Sequence, residues 1–156
     1  MADFVTGAGA TFWLCSDAPP TYNQAGYETL SFTKVGKTTN IGDIPSKTFQ
    51  EVVLNYLESA GEDVAKGGYS LGAQTIVVAL DADDAGQALV ASAIEDVEAW
   101  SAKLAHPRLG TIYARALVMG GPKTWGDQNT PATWAITIRY KIVSATEDGI
   151  VTVDPA

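Results

Sequence analysis

Apolar and polar positions alternate along much of the chain. From Thr133 to Ser144, Trp134, Ile136, Ile138, Tyr140 and Ile142 fall on one face, and Thr133, Thr137, Arg139 and Lys141 fall on the other. A period of two predicts a β-strand with one face buried and the other wet or held against a partner. Antiparallel sheets carry this alternation, whereas buried parallel strands read as continuous apolar runs. Thr111 to Met119 predicts a second strand, with Tyr113 and Arg115 facing away from Ile112, Ala114, Ala116 and Val118. The Gly- and Pro-rich stretch from Gly120 to Pro131 joins the two strands. It is too long for a tight two-residue turn and too full of breakers for structure of its own, so a hairpin with a long exposed loop is expected.

Further strands are expected over Ala10 to Ser16, Tyr27 to Val35, Phe49 to Tyr56 and Leu71 to Leu80, the last carrying the β-branched run Thr75-Ile76-Val77-Val78. A polar linker lies between Ser16 and Gly26, and a longer polar loop is expected over Leu57 to Tyr69. A loop of that length in a small domain is usually functional. One helix is expected: Asp83 or Asp84 caps it, and Ala85, Leu89, Val90, Ala93, Val97 and Trp100 share one side. Its end is placed before His106-Pro107, because proline cannot continue a helix. Its apolar stripe is expected to cover an open flank of the sheet. At the carboxyl end a turn at Asp148-Gly149 precedes Ile150 to Val153, an edge strand or an arm reaching a neighbour.

Composition narrows the function. The 156 residues suit one domain, with no internal repeat or low-complexity tract. Ten Lys and Arg stand against eighteen Asp and Glu, so the surface repels phosphate and simple nucleic-acid binding is disfavoured. The same charge suits a surface that nucleic acid must pass without sticking. The single cysteine, Cys15, excludes an internal disulfide framework and fits a reducing compartment. Residues 1–10 show no basic segment followed by an apolar one, so no signal peptide is expected, and no apolar run is long enough to span a bilayer.

Catalytic chemistry finds no support in the residues. His106, the one histidine, has no metal-ligand spacing around it. The segment from Asp81 to Asp84 resembles part of a calcium loop, but Ser92 stands where its bidentate Glu belongs, and helix capping is the better reading. Cys15 on a strand reads as a buried structural residue, with only His106 as a conceivable base. No phosphate loop or nucleophile elbow is present. Neither a cofactor nor a metal is expected. Arg115, Arg139 and Lys141 lie on the polar faces of adjacent strands, either solvated or facing a subunit or an enclosed channel. Trp125, in the long hairpin loop, is either a contact anchor or folded over its own sheet.

The order of elements resembles a known family. An amino-terminal Gly-Ala-Gly-Ala-Thr-Phe-Trp-Leu strand (Gly7 to Leu14) is followed by the Phe49 to Tyr56 strand and the long polar loop. The chain returns through Ala65-Lys66-Gly67-Gly68-Tyr69-Ser70-Leu71-Gly72-Ala73-Gln74, then reaches Leu80-Asp81-Ala82-Asp83-Asp84-Ala85-Gly86-Gln87-Ala88-Leu89. The final hairpin is Tyr113 to Val118 with Ala135 to Ser144. This arrangement, over about residues 7 to 145, is similar to that of the tail tube proteins of lambda-like, flexible-tailed bacteriophages. The extended loop from Gly120 to Pro131 departs from their pattern.

The resemblance implies an antiparallel β-sandwich or half-barrel flanked by one α-helix, forming a single tail-tube domain over residues 1–156. It implies hexameric rings stacked into a tube, with inner strands joined in a continuous barrel through which double-stranded DNA passes. The implied partners are other copies of the chain, the tape measure protein, the tail terminator and the distal tail protein. The implied location is the virion tail, assembled in the host cytoplasm. Residues 57–69 correspond to the loop that stacks one ring on the next, with Glu58, Glu62, Asp63, Lys66 and Tyr69 as candidate contacts beside Trp125. Residues 1–10 and 147–156 correspond to contact arms. Two other readings stay open: a monomeric β-barrel or sandwich binding a ligand inside it, and the inner tube or tail terminator of another phage-like machine.

Overall fold

A computed structural model describes residues 4–155. Among these residues eleven strands and two helices are formed: β1 (Thr11–Cys15), α1 (Gln24–Glu28), β2 (Thr33–Val35), β3 (Thr38–Asn40), β4 (Thr48–Asn55), β5 (Glu62–Ser70), β6 (Ala73–Ala79), α2 (Ala85–Glu95), β7 (Trp100–His106), β8 (Gly110–Gly120), β9 (Lys123–Thr124), β10 (Thr133–Tyr140) and β11 (Val151–Val153). Nine strands form one antiparallel sheet whose main path runs β2-β1-β7-β8-β10-β6-β3. The two strands at the ends of that path, β2 and β3, are joined by only Gly36 and Lys37, so the sheet curls back on itself into a nearly closed barrel. Lys37 takes the left-handed conformation that so short a link needs, with φ 62°.

The alternation read in the sequence builds the core. Trp134, Ile136, Ile138 and Tyr140 are all buried, in one core with Ile76, Val78, Ala116 and Val118 of the neighbouring strands and Phe12 and Leu14 of β1. On the opposite face of β8, aromatic side chains cover the start of the strand. Tyr113 stacks on Tyr27 of α1 with ring centroids 5.3 Å apart, and Phe32 tilts against it at 5.8 Å. Burial of Tyr27 and Tyr113 pushes both hydroxyls above their ordinary range.

Helix α2 closes the barrel seam, and its first turn explains the Asp84-Ala85-Gly86-Gln87 run. Asp84 caps the helix by accepting from Gln87 N–H at 2.9 Å and also accepts from Gly36 N–H at 3.0 Å. Gln87 accepts from Asp81 N–H and donates to the carbonyls of Ala79 and Gly36, so one side chain ties β6 to the β2–β3 link. Gly86 lies against β2 so closely that an added Cβ would sit 2.0 Å from the Lys34 carbonyl oxygen. Only glycine allows this approach.

Five expectations are corrected, the first in the Gly120 to Pro131 loop, where Lys123–Thr124 form strand β9 opposite Trp134 and Thr133 although no structure was expected there. Tyr27 to Val35 is not a strand: Asn23 caps α1 through Gly26 N–H, Tyr27 turns inward to meet Tyr113, and only Thr33–Val35 is extended. The helix ends at Glu95, because Asp96 accepts from Glu98 N–H and from the Trp100 indole. Trp100 therefore begins β7, a strand absent from the sequence reading, with Trp100, Ala102 and Leu104 inward. The last long strand stops at Tyr140, leaving Ile142 beyond it and exposed. Residues 62–70 are not loop but strand β5, paired along its length with β4. Of the segment Ile150 to Val153, Val151–Val153 form an edge strand, β11, opposite Tyr113, Ile112 and Thr111.

Candidate assembly surfaces

The strands β3 and β4, and in return β5 and β6, are two halves of one long ribbon. Its base, β3 against β6, belongs to the barrel; its distal half, β4 against β5, forms a separate two-stranded sheet. The break falls at residues 41–47 and 71–72, where Gly42 and Gly72 adopt positive φ of 73° and 88°. Buried Gln74 fixes this root. Its amide donates to the Ile41 carbonyl at 2.7 Å, and its oxygen accepts from the Tyr140 hydroxyl.

The distal hairpin buries neither face. Every residue of β4 is exposed, and Val52, Val53, Leu54, Tyr56, Leu57 and Val64 present large apolar groups to solvent. Val53 lies opposite Val64 on one face, and Leu54 lies opposite Asp63 on the other. An isolated two-stranded hairpin is marginal in water, and apolar groups on both faces belong to strands covered on both sides.

The predicted contact residues fall into distinct places on this element. Glu58 is exposed in the distal turn, and Glu62 and Asp63 begin β5 beside it, with Asp63 accepting from the Tyr56 hydroxyl at 3.3 Å. Lys66 lies opposite Glu51 and holds its ammonium 5.0 Å from the Phe49 ring centroid. Tyr69, half-buried at the root, packs on Phe49 and carries the Lys47 ammonium 4.7 Å above its ring. Trp125 stands free in the loop after β9 with 79% of its surface exposed. Of the proposed arms, residues 1–3 and 156 lie outside the described residues. The described remainder meets at the β7–β8 turn: His106 Nε2 is 2.8 Å from the Thr6 carbonyl oxygen, and Gly110 touches the Val153 carbonyl.

The three sheet-face cations are not equivalent. Arg115 is committed within the chain, donating to Ser101 Oγ at 2.7 Å and to the carbonyls of Ala99 and Asp17. Arg139 and Lys141 are exposed and make no ion pair among the described residues, where Lys47–Asp148 is the one pair within 4.0 Å. No group of three or more His, Cys, Asp or Glu is placed to hold a metal among the described residues, and no helix there is long and apolar enough to cross a membrane. At the barrel end lie an apolar depression of about 220 Å³, lined by Ile41, Ile44, Leu104, His106 and Leu109 among others, and a more open one of about 410 Å³ between His106, Pro107, Thr111 and Val153.

A scan against protein-family models finds no match, and neither does a comparison with curated protein sequences. Solved structures do share the fold. One is a chain in the tail of an empty GTA particle determined with C6 symmetry: TM-score 0.62 and 14% identity, over 88% of this chain and 94% of that one. Another is a chain in the six-fold-symmetrised baseplate of the anti-feeding prophage: TM-score 0.63 and 9% identity, over 99% of this chain and 98% of that one. The protein is thus a mostly-β, barrel-like domain flanked by helix, of the fold seen in these tail and baseplate chains.

Proposed function

We propose that the chain is a structural, non-enzymatic subunit of a phage-like tail tube, assembling through its β4–β5 hairpin into six-membered rings that stack. The observation that carries this reading is a nine-residue strand, β5, paired to an eight-residue one, β4, in a hairpin that buries neither face. Such an element gains its stability by being covered, and a second copy of the chain offers the matching strands and apolar groups. The shared fold with chains from two particles of six-fold symmetry supports the ring. Double-stranded DNA would pass through the lumen without binding, which the chain's balance of eighteen Asp and Glu against ten Lys and Arg suits. The tape measure, tail terminator and distal tail proteins are its proposed partners, and the virion tail its proposed location.

The similarity over 99% of the chain to an anti-feeding prophage baseplate chain favours a second reading, a tube ring within the baseplate of a contractile machine. Both readings predict rings. Replacing Val52 to Val64 by a short Asn-Gly turn removes the distal hairpin and leaves the barrel intact. The shortened protein should keep its circular dichroism and thermal transition yet stay monomeric when the full chain gives rings or tubes by negative-stain microscopy. Normal tubes from the shortened chain would overturn the assignment.

A further inference from the structure

The chain's charges are sorted by element. None of the nine strands of the main sheet contains an Asp or Glu, yet those strands carry Lys34, Lys103, Arg115, Lys123 and Arg139. The hairpin shows the opposite balance, with Glu51, Glu58, Glu62 and Asp63 against Lys66. Its carboxylates concentrate at the far end, where Glu62 opposes Asn55 and Asp63 opposes Leu54.

Two exposed cations without an ion pair among the described residues, Arg139 and Lys141, lie at the near end, where Tyr140 N–H bonds to the Gly72 carbonyl between them. Arg139 lies between Ala73, the first residue of β6 after the hairpin, and Leu117 of β8, with Thr137 beside it on its own strand. Lys141 follows two residues on, its N–H bonded to the Arg115 carbonyl; it lines a small surface depression with Glu98, which does not come within ion-pair distance. Exposed Met119 gives this face an apolar margin.

Root and tip of one arm cannot neutralise each other. Eight residues of β4 span about 26 Å at 3.3 Å per residue. That distance is roughly three Debye lengths at physiological salt. We propose that the acidic tip of one copy's hairpin, Glu58, Glu62 and Asp63, docks on the Arg139–Lys141 face at the hairpin root of another copy. The proposal rests on the tube-subunit reading and names the surface that receives the hairpin. A root-cation, tip-anion arm makes a head-to-tail contact, which closes into rings or extends into filaments. Docking also neutralises the cations that would otherwise attract phosphate to the sheet.

The test is a charge exchange. A root-reversed chain (Arg139→Glu with Lys141→Glu) and a tip-reversed chain (Glu58→Lys, Glu62→Lys and Asp63→Lys) should each assemble at least tenfold less than the natural chain by sedimentation. Mixed one to one, they should assemble again, since each supplies the complement of the other. One chain carrying both sets should assemble alone and refuse to co-assemble with the natural chain. Assembly of either reversed chain at the natural level, or failure of both the mixture and the doubly reversed chain to recover it, overturns the pairing while leaving the tube reading in place. A natural chain that stays monomeric under all assembly conditions overturns the tube reading, and the pairing falls with it.

Discussion

The barrel and the distal hairpin are both built from antiparallel strands in continuous chain, and they solve the problem of burial in opposite ways. In the barrel each strand gives one face to a shared core, so Phe12, Leu14, Ile76, Ile136 and Ile138 have essentially no exposed surface. In the hairpin, Val52, Val53 and Leu54 remain 42%, 41% and 49% exposed, though their β-propensity is as high. The difference separates two kinds of information in one sequence. Barrel residues determine whether the chain folds, and hairpin residues determine what the folded chain joins.

The largest effect should come from matched truncations in the two regions. Ile136→Ala removes a fully buried side chain from the middle of β10 and should cost about 3–4 kcal/mol by denaturant unfolding. Val53→Ala in the hairpin should change monomer stability by less than about 0.5 kcal/mol and reduce assembly instead. Equal losses of monomer stability would erase the distinction, because they would mean that the hairpin is held by the barrel in the isolated chain.

A smaller effect probes how the barrel is shut. Gly86→Ala drives a methyl group into the β2 backbone and should cost about 2–3 kcal/mol, since backbone cannot move aside as a side-chain tip can. Gln87→Ala leaves the Ala79 and Gly36 carbonyls and the Asp81 N–H without their partner and should cost about 2 kcal/mol. Both losses should appear as weaker hydrogen-exchange protection at β2 and β3, with the hairpin unchanged. Protection lost at β4 and β5 instead would show that the seam supports the hairpin, contrary to the separation drawn above.

Legibility in the sequence follows the same division. Alternation exposed β10 and the first part of β8 because their inward residues are mostly apolar and their outward ones mostly polar, the signal a half-buried strand leaves, although Leu117 and Met119 break it at the end of β8. Strand β5 has no inward side, so Glu62 to Ser70 reads as polar and glycine-rich, and only its backbone pairing with β4 makes it a strand. Strand β7 was hidden because Val97 and Trp100 continue the helical spacing of Val90 and Ala93. What ends the helix is the Asp96 side chain, a contact that periodicity does not register. The short helix α1 carries the Tyr27–Tyr113 stack, between residues far apart in the chain, and no local pattern reports it. For the assembly surfaces, residue types were legible but not their separation: Arg115 and Arg139 look alike on alternating strands, yet one is bonded inward and the other is free.

The junction between the two regions gives the smallest effect and the most local one. Tyr140 donates its hydroxyl to buried Gln74, whose amide holds Ile41 where the ribbon leaves the barrel. Tyr140→Phe leaves Gln74 Oε1 without that donor and should cost about 1 kcal/mol at neutral pH. Burial pushes the Tyr140 hydroxyl well above its ordinary value of 10.0, and that of Tyr27 likewise, so the folded state favours the neutral form of both. Their contribution to stability is complete below the unfolded value of about 10 and is lost progressively as pH rises above it. Tyrosinate absorbance should therefore show Tyr27 and Tyr140 ionising only as circular dichroism reports unfolding, with the Tyr140→Phe protein losing stability less steeply above that pH. Ionisation of all six tyrosines with the fold intact would show the root to be open to solvent, and the ribbon would then have no fixed junction between its barrel half and its hairpin half.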